Sequence, residues 1–112
     1  MEAVNSTWSY DQFKAYLLIF AAESNQVITK EEKDYIEAQF DSLIIKTVQK
    51  EINKDNDFQR IQKIMAYIEQ NNLSKIDLDE LLKEIHTIYQ SDGKFDLVEQ
   101  GVFQFLEKLF KM

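Results

Sequence analysis

Two stretches of this chain restart a helix in the same way, and that recurrence limits the fold more than any other feature. In Ser91-Asp92-Gly93-Lys94-Phe95-Asp96-Leu97-Val98-Glu99 a polar turn ends an apolar helix, one large apolar residue follows, and a new helix begins. Ser24 to Glu32 repeats the plan, with Ile28 in the place of Phe95. Each restart carries a capping side chain and a glutamate three residues later, Thr29 with Glu32 and Asp96 with Glu99. In such a capping box the cap side chain takes the orphan N–H at the third helical position, and the glutamate reaches back to the cap's own N–H. A constant offset of 67 residues maps Ser24 to Ser91, Asn25 to Asp92, Ile28 to Phe95, Glu32 to Glu99 and Ile36 to Phe103. Two helix–turn–helix units related in this way bracket one helical domain.

Composition agrees. The chain has no proline and only two glycines, Gly93 and Gly101, which suits helices joined by short connections and argues against a sheet protein full of tight turns. At 112 residues, 45% of them hydrophobic, it can bury a core without crosslinks or metals. The expected fold is an all-α, single-domain bundle of five to seven helices over residues 1–112. Residues 1–8 form a flexible lead-in and residues 9–111 the helical domain. The absence of cysteine removes disulfides, thiolate metal sites and cysteine nucleophiles, and fits a reducing compartment. A net charge of −7 has the wrong sign for neutralising phosphates, so nucleic acid is not an expected partner. The lysines at 46, 50 and 54 read as a solvated helix edge. The longest apolar run, Ala15 to Ala22, is too short to span a bilayer, and Met1 to Tyr10 has no leader-like pattern. The reading expects a soluble cytoplasmic protein with no direct membrane insertion.

Along the chain, Ser9 with Gln12 three residues on marks the first helix start, and apolar residues then cover nearly the whole helix through Ala22, so it should be central. A second helix begins at Lys30 with the stripe Tyr35, Ile36, Phe40, Leu43 and Ile44. That pattern runs to Ile52, either as one long helix or, the favoured reading, with a break near Asp41-Ser42. A further helix carries Phe58, Ile61, Ile64, Met65 and Ile68 and ends at Asn71-Asn72. The next is read as capped by Asp77 with Glu80, with Ile76 stapled onto Leu81, and bears Leu78, Leu81, Leu82, Ile85, Ile88 and Tyr89. The last helix presents Val98, Val102, Phe105, Leu106 and Leu109 and is expected near the centre. Gly101 inside it should cost about 1 kcal/mol relative to alanine, so close approach of a neighbouring helix is its expected reason.

Little conventional chemistry is encoded. His86 is the lone histidine, and no nucleophile elbow, phosphate loop or HExxH is present. What remains is carboxylate. Set against an EF-hand loop with Gly93 at position 6, the chain supplies Asp92 at 5, Phe95 at 8, Asp96 at 9 and Glu99 at 12, but Ile88 stands at position 1 and Gln90 at 3. The early copy has Ala21 at position 1, Glu23 and Asn25 at 3 and 5, and Gln26 in place of the glycine. The capped turn alone accounts for Gly93, Phe95, Asp96 and Glu99.

An apolar helix followed by Asp-Gly-x-apolar-(Ser/Thr/Asp)-x-x-Glu, given twice, resembles the TerB-like tellurite-resistance family. Here the motifs are Leu17 to Asn25 with Ile28-Thr29-Lys30-Glu31-Glu32, and Asp92 to Glu99; the likeness spans residues 13–110. It departs from the family at Asn25-Gln26, where Asp-Gly is usual, and at Ile88-Tyr89-Gln90, where alanines are. The resemblance implies a non-enzymatic accessory protein of tellurite-resistance and stress systems. It also implies a protein partner, or a divalent cation such as calcium, held by Glu23, Glu32, Asp92, Asp96 and Glu99, with Thr29, Glu32, Asp96 and Glu99 also serving as caps. A divergent EF-hand-like calcium module, a small carboxylate enzyme and a purely structural interaction domain are the alternatives.

Overall fold

A computed structural model describes residues 8–24, 28–91 and 97–111. The described residues form six helices and a compact all-α bundle: α1 (Tyr10–Glu23), α2 (Lys30–Glu37), α3 (Ser42–Lys54), α4 (Asp57–Gln70), α5 (Lys75–Gln90) and α6 (Leu97–Phe110). Its radius of gyration, 13.3 Å, is that of a close-packed chain of this size.

The helix without a polar face sits in the middle. Phe13 and every residue from Ala15 to Ala22 on α1 are buried, and α1 packs against α2, α3, α4 and α5. Ser9 and Gln12 close the capping box that starts it, at 3.1 and 2.9 Å. Trp8 is tied down rather than loose: its ring lies 4.7 Å from Tyr16, while Phe13 stacks on Tyr67 at 4.2 Å. Such aromatic pairs add to plain area burial.

The apolar pattern from Lys30 to Ile52 divides into two helices, α2 and α3, and the break spans residues 38–41, ending where Asp41-Ser42 starts α3. Asp41 is the N-cap of α3, although its side chain makes no capping bond. The break changes the helical register, so Leu43 faces outward, 73% exposed, while Val48 and Ile52 face the core.

Asn72 closes α4 with φ 50°, a left-handed conformation that asparagine tolerates better than most residues. Leu73 N–H donates to the Ile68 carbonyl at 3.2 Å and Asn72 N–H to that of Glu69 at 3.3 Å, the paired bonds of a Schellman turn.

Four expectations are corrected. The cap of α5 is Ser74, whose Oγ accepts from Asp77 N–H while Asp77 accepts from Ser74 N–H, both at 3.1 Å. Asp77 is therefore the returning carboxylate and not the cap, and Ile76 stands 71% exposed without a staple. The last helix is peripheral: its principal neighbour is α5, and only Glu99, Leu106 and Phe110 are buried on it. Finally, among the described residues a Cβ on Gly101 would meet no atom within 4 Å, so no described helix closely approaches it. Phe58, read as part of a core stripe, is likewise 72% exposed.

Candidate functional site

The 67-residue repeat is physical. α1 and α2 correspond to α5 and α6, and the ends of α1 and α5 finish alike. Ser24 Oγ donates to the Ala21 carbonyl at 2.6 Å, and its counterpart Ser91 Oγ donates to the Ile88 carbonyl at 2.7 Å. Tyr89 ties the two units together by donating its hydroxyl to the Ala21 carbonyl at 2.7 Å.

After the first turn the capping box forms as its spacing predicts. Thr29 Oγ1 accepts from Glu32 N–H at 3.1 Å, and Glu32 Oε1 accepts from Thr29 N–H at 3.0 Å. The Glu32 side chain is 0% exposed, and Oε2 finds no hydrogen-bond donor among the described residues. Burying a carboxylate oxygen without a donor is costly, and such an atom calls for a proton, a cation or a polar partner. Glu99, its equivalent on α6, is 2% exposed. Among the described residues these two glutamates are the buried charged side chains.

The other site residues behave differently. Glu23 accepts from Gln49 Nε2 at 3.0 Å and lines a cleft beside Phe20 and Arg60. Asp92 and Asp96 lie outside the described residues. Among those described, no group of three or more histidine, cysteine or acidic side chains is placed to hold a metal, so Glu23, Glu32 and Glu99 do not make a ligand set on their own.

A second polar cluster escaped the sequence reading. Lys63 donates to Glu51 Oε2 at 2.7 Å and to Asp55 Oδ2 at 2.8 Å. Tyr16 donates to the same Asp55 oxygen at 2.6 Å, and Trp8 Nε1 donates to Glu51 Oε1 at 3.2 Å. Burial, with the hydrogen bond to Asp55 behind it, pushes the Tyr16 hydroxyl well above its ordinary value. Burial pulls the Lys63 ammonium down, but its hydrogen bonds to Asp55 and Glu51 outweigh that and leave it raised. The one signal in sequence was Glu51 and Asp55, four residues apart across the end of α3. Every donor comes from elsewhere in the chain.

His86 packs edge-on to Phe103, ring centroids 5.4 Å apart, in an open hollow with Asp79, Lys83 and Glu107. No helix is long and apolar enough to cross a membrane among the described residues. No family model, curated protein or solved structure matches the chain.

Proposed function

We propose that this chain is a TerB-like accessory protein of cytoplasmic stress or tellurite-resistance systems, and not an enzyme. Its acidic turns take a divalent cation, or a cationic group of a protein partner, with Glu32 and Glu99 at the inner ends and Asp92, Asp96 and Glu23 from the turns and helix end. One observation carries the reading. Glu32 is fully buried with an oxygen that no described donor satisfies, at the position where the repeat places an equally buried Glu99. Two helix caps alone would be served as well by exposed glutamates.

The alternative of a purely structural interaction module draws support from the missing three-residue acidic group among the described residues. Thermal unfolding separates the two. Metal-stripped protein is heated with calcium, magnesium, manganese or zinc added in turn, then the series is repeated on Glu32→Gln and on Asp92→Asn/Glu99→Gln. A ligand present at a hundred times its Kd stabilises the native state by about 2.7 kcal/mol, a rise of several degrees. The expected result is such a rise for one ion, abolished in the variants. No shift at millimolar ion in the unmodified protein would defeat the cation reading and leave the carboxylates as caps.

A further inference from the structure

The outer face of α3 carries charge of one sign. Lys46, Lys50 and Lys54 follow one another about one turn apart, all exposed, and at about 100° per residue they share one arc with Leu43 and Thr47. Leu43, Lys46, Thr47 and Lys50 line a single shallow hollow on that face. Val48 and Ile52, on the opposite side, are buried, and α1 is the principal neighbour of α3, so the arc points away from the bundle. None of the three lysines has an ion pair or hydrogen bond among the described residues. The acids on either flank are engaged elsewhere: Glu51 with Lys63 and Trp8, and Glu23 with Gln49.

We infer that this ridge docks an acidic amphipathic helix of a partner protein, with carboxylates one turn apart facing the lysines and an apolar side chain over Leu43. The first argument is a local cost. Like charges at i, i+4 destabilise a helix, and α3 has two such pairs in succession with no described counter-charge. α2 does the reverse, pairing Lys30 with Asp34 and Lys33 with Glu37. Lys54, in the last turn, suits the helix dipole, but Lys46 and Lys50 lie before that turn and have no such reason. The second argument is Leu43, 73% exposed at the head of the same arc. It gives the ridge an apolar anchor beside its charges, the combination that a docked amphipathic helix engages.

Charge and length together choose the occupant. Removing these three positive charges from a net −7 leaves −10 on the rest of the chain. Lys46 to Lys54 covers about 12 Å of helix, and a short acidic helix keeps its charge within that length. A nucleic-acid duplex would set about seven phosphate charges over the same 12 Å, more than three lysines neutralise. An anionic bilayer extends past the ridge and meets the acidic remainder, and a second copy of the chain brings the same negative excess. No lysine of α3 belongs to the acidic turns, so the inference stands whether or not a cation binds there.

The test titrates a labelled synthetic Leu/Glu amphipathic helix of about four turns with the full chain at physiological salt. The same peptide with lysine for glutamate is the control. Saturable binding of the acidic peptide alone is expected, weakened about tenfold or more by Lys50→Glu, less by Leu43→Ser, and lost at about 1 M salt. Lys50→Glu sets an acid between Lys46 and Lys54 and should raise the melting temperature, so its loss of binding would not come from unfolding. Lys75→Glu, the same charge change at the exposed start of α5, should leave affinity nearly unaltered. Absent binding, equal binding of both peptides, unchanged affinity in Lys50→Glu, or an equal loss in Lys75→Glu would overturn the inference. So would a dimer in sedimentation, or binding of anionic vesicles or duplex DNA, that Lys50→Glu abolishes.

Discussion

Gly101 has open space where a Cβ would stand and sits inside a regular helix. Gly101→Ala should therefore raise unfolding stability by about 1 kcal/mol, seen as a melting temperature higher by roughly 4 °C in calorimetry. An unchanged or lower value would mean that the helix has a local reason for the glycine. Asn72 is the opposite case, since its left-handed backbone is a conformational demand that any substitution with a Cβ must also meet. Glu32 combines both kinds of constraint. Its Oε1 serves the backbone of Thr29, and its Oε2 lies buried with no described donor, so one side chain serves helix initiation and the candidate site.

Helix starts are where local chemistry speaks most clearly. Ser9, Thr29, Asn56 and Ser74 each close a reciprocal capping box with the residue three positions on. For α5 the choice between Ser74 and Asp77 as cap has a direct test. Ser74→Ala should cost about 1 kcal/mol in denaturant unfolding, while Ile76→Ser should stay within about 0.5 kcal/mol. A large loss at Ile76 would restore the staple that the exposed side chain argues against. The break between α2 and α3, over residues 38–41, has no such side-chain bond at Asp41, and it lets α3 turn Val48 and Ile52 onto α1.

At the scale of the molecule, the Trp8–Glu51–Lys63–Asp55–Tyr16 cluster joins the start of the described chain to α1, α3 and α4. Tyr16 and Lys63 both hold their protons more tightly in the folded state. The stability they contribute is thus complete below their ordinary values, 10.0 and 10.5, and is lost as pH rises through the higher folded values. Unfolding free energy should fall above pH 10, and Tyr16→Phe should flatten that fall by up to about 1.4 kcal/mol per pH unit. The same substitution should cost about 1.5 kcal/mol at neutral pH, because it removes a hydrogen bond to a charged acceptor. Urea titrations across pH 7–11 would read both effects, and an unaltered alkaline slope would show that Tyr16 does not titrate with unfolding.

The sequence by itself determined the helical class, the central place of α1, the caps at Ser9 and Thr29 and the repeat that pairs Glu32 with Glu99. These rest on interactions within a few residues, or on a helix so uniformly apolar that only the interior can hold it. Tertiary structure decided what local pattern leaves open. An apolar stripe says that a face can be buried, not that a neighbour arrives to bury it, and so Val98 and Phe105 on α6 and Phe58 on α4 stand in solvent. The burial of both glutamates and the meeting of Lys63 with Asp55 and Tyr16 likewise depend on how helices distant in sequence cross, which no spacing along the chain records.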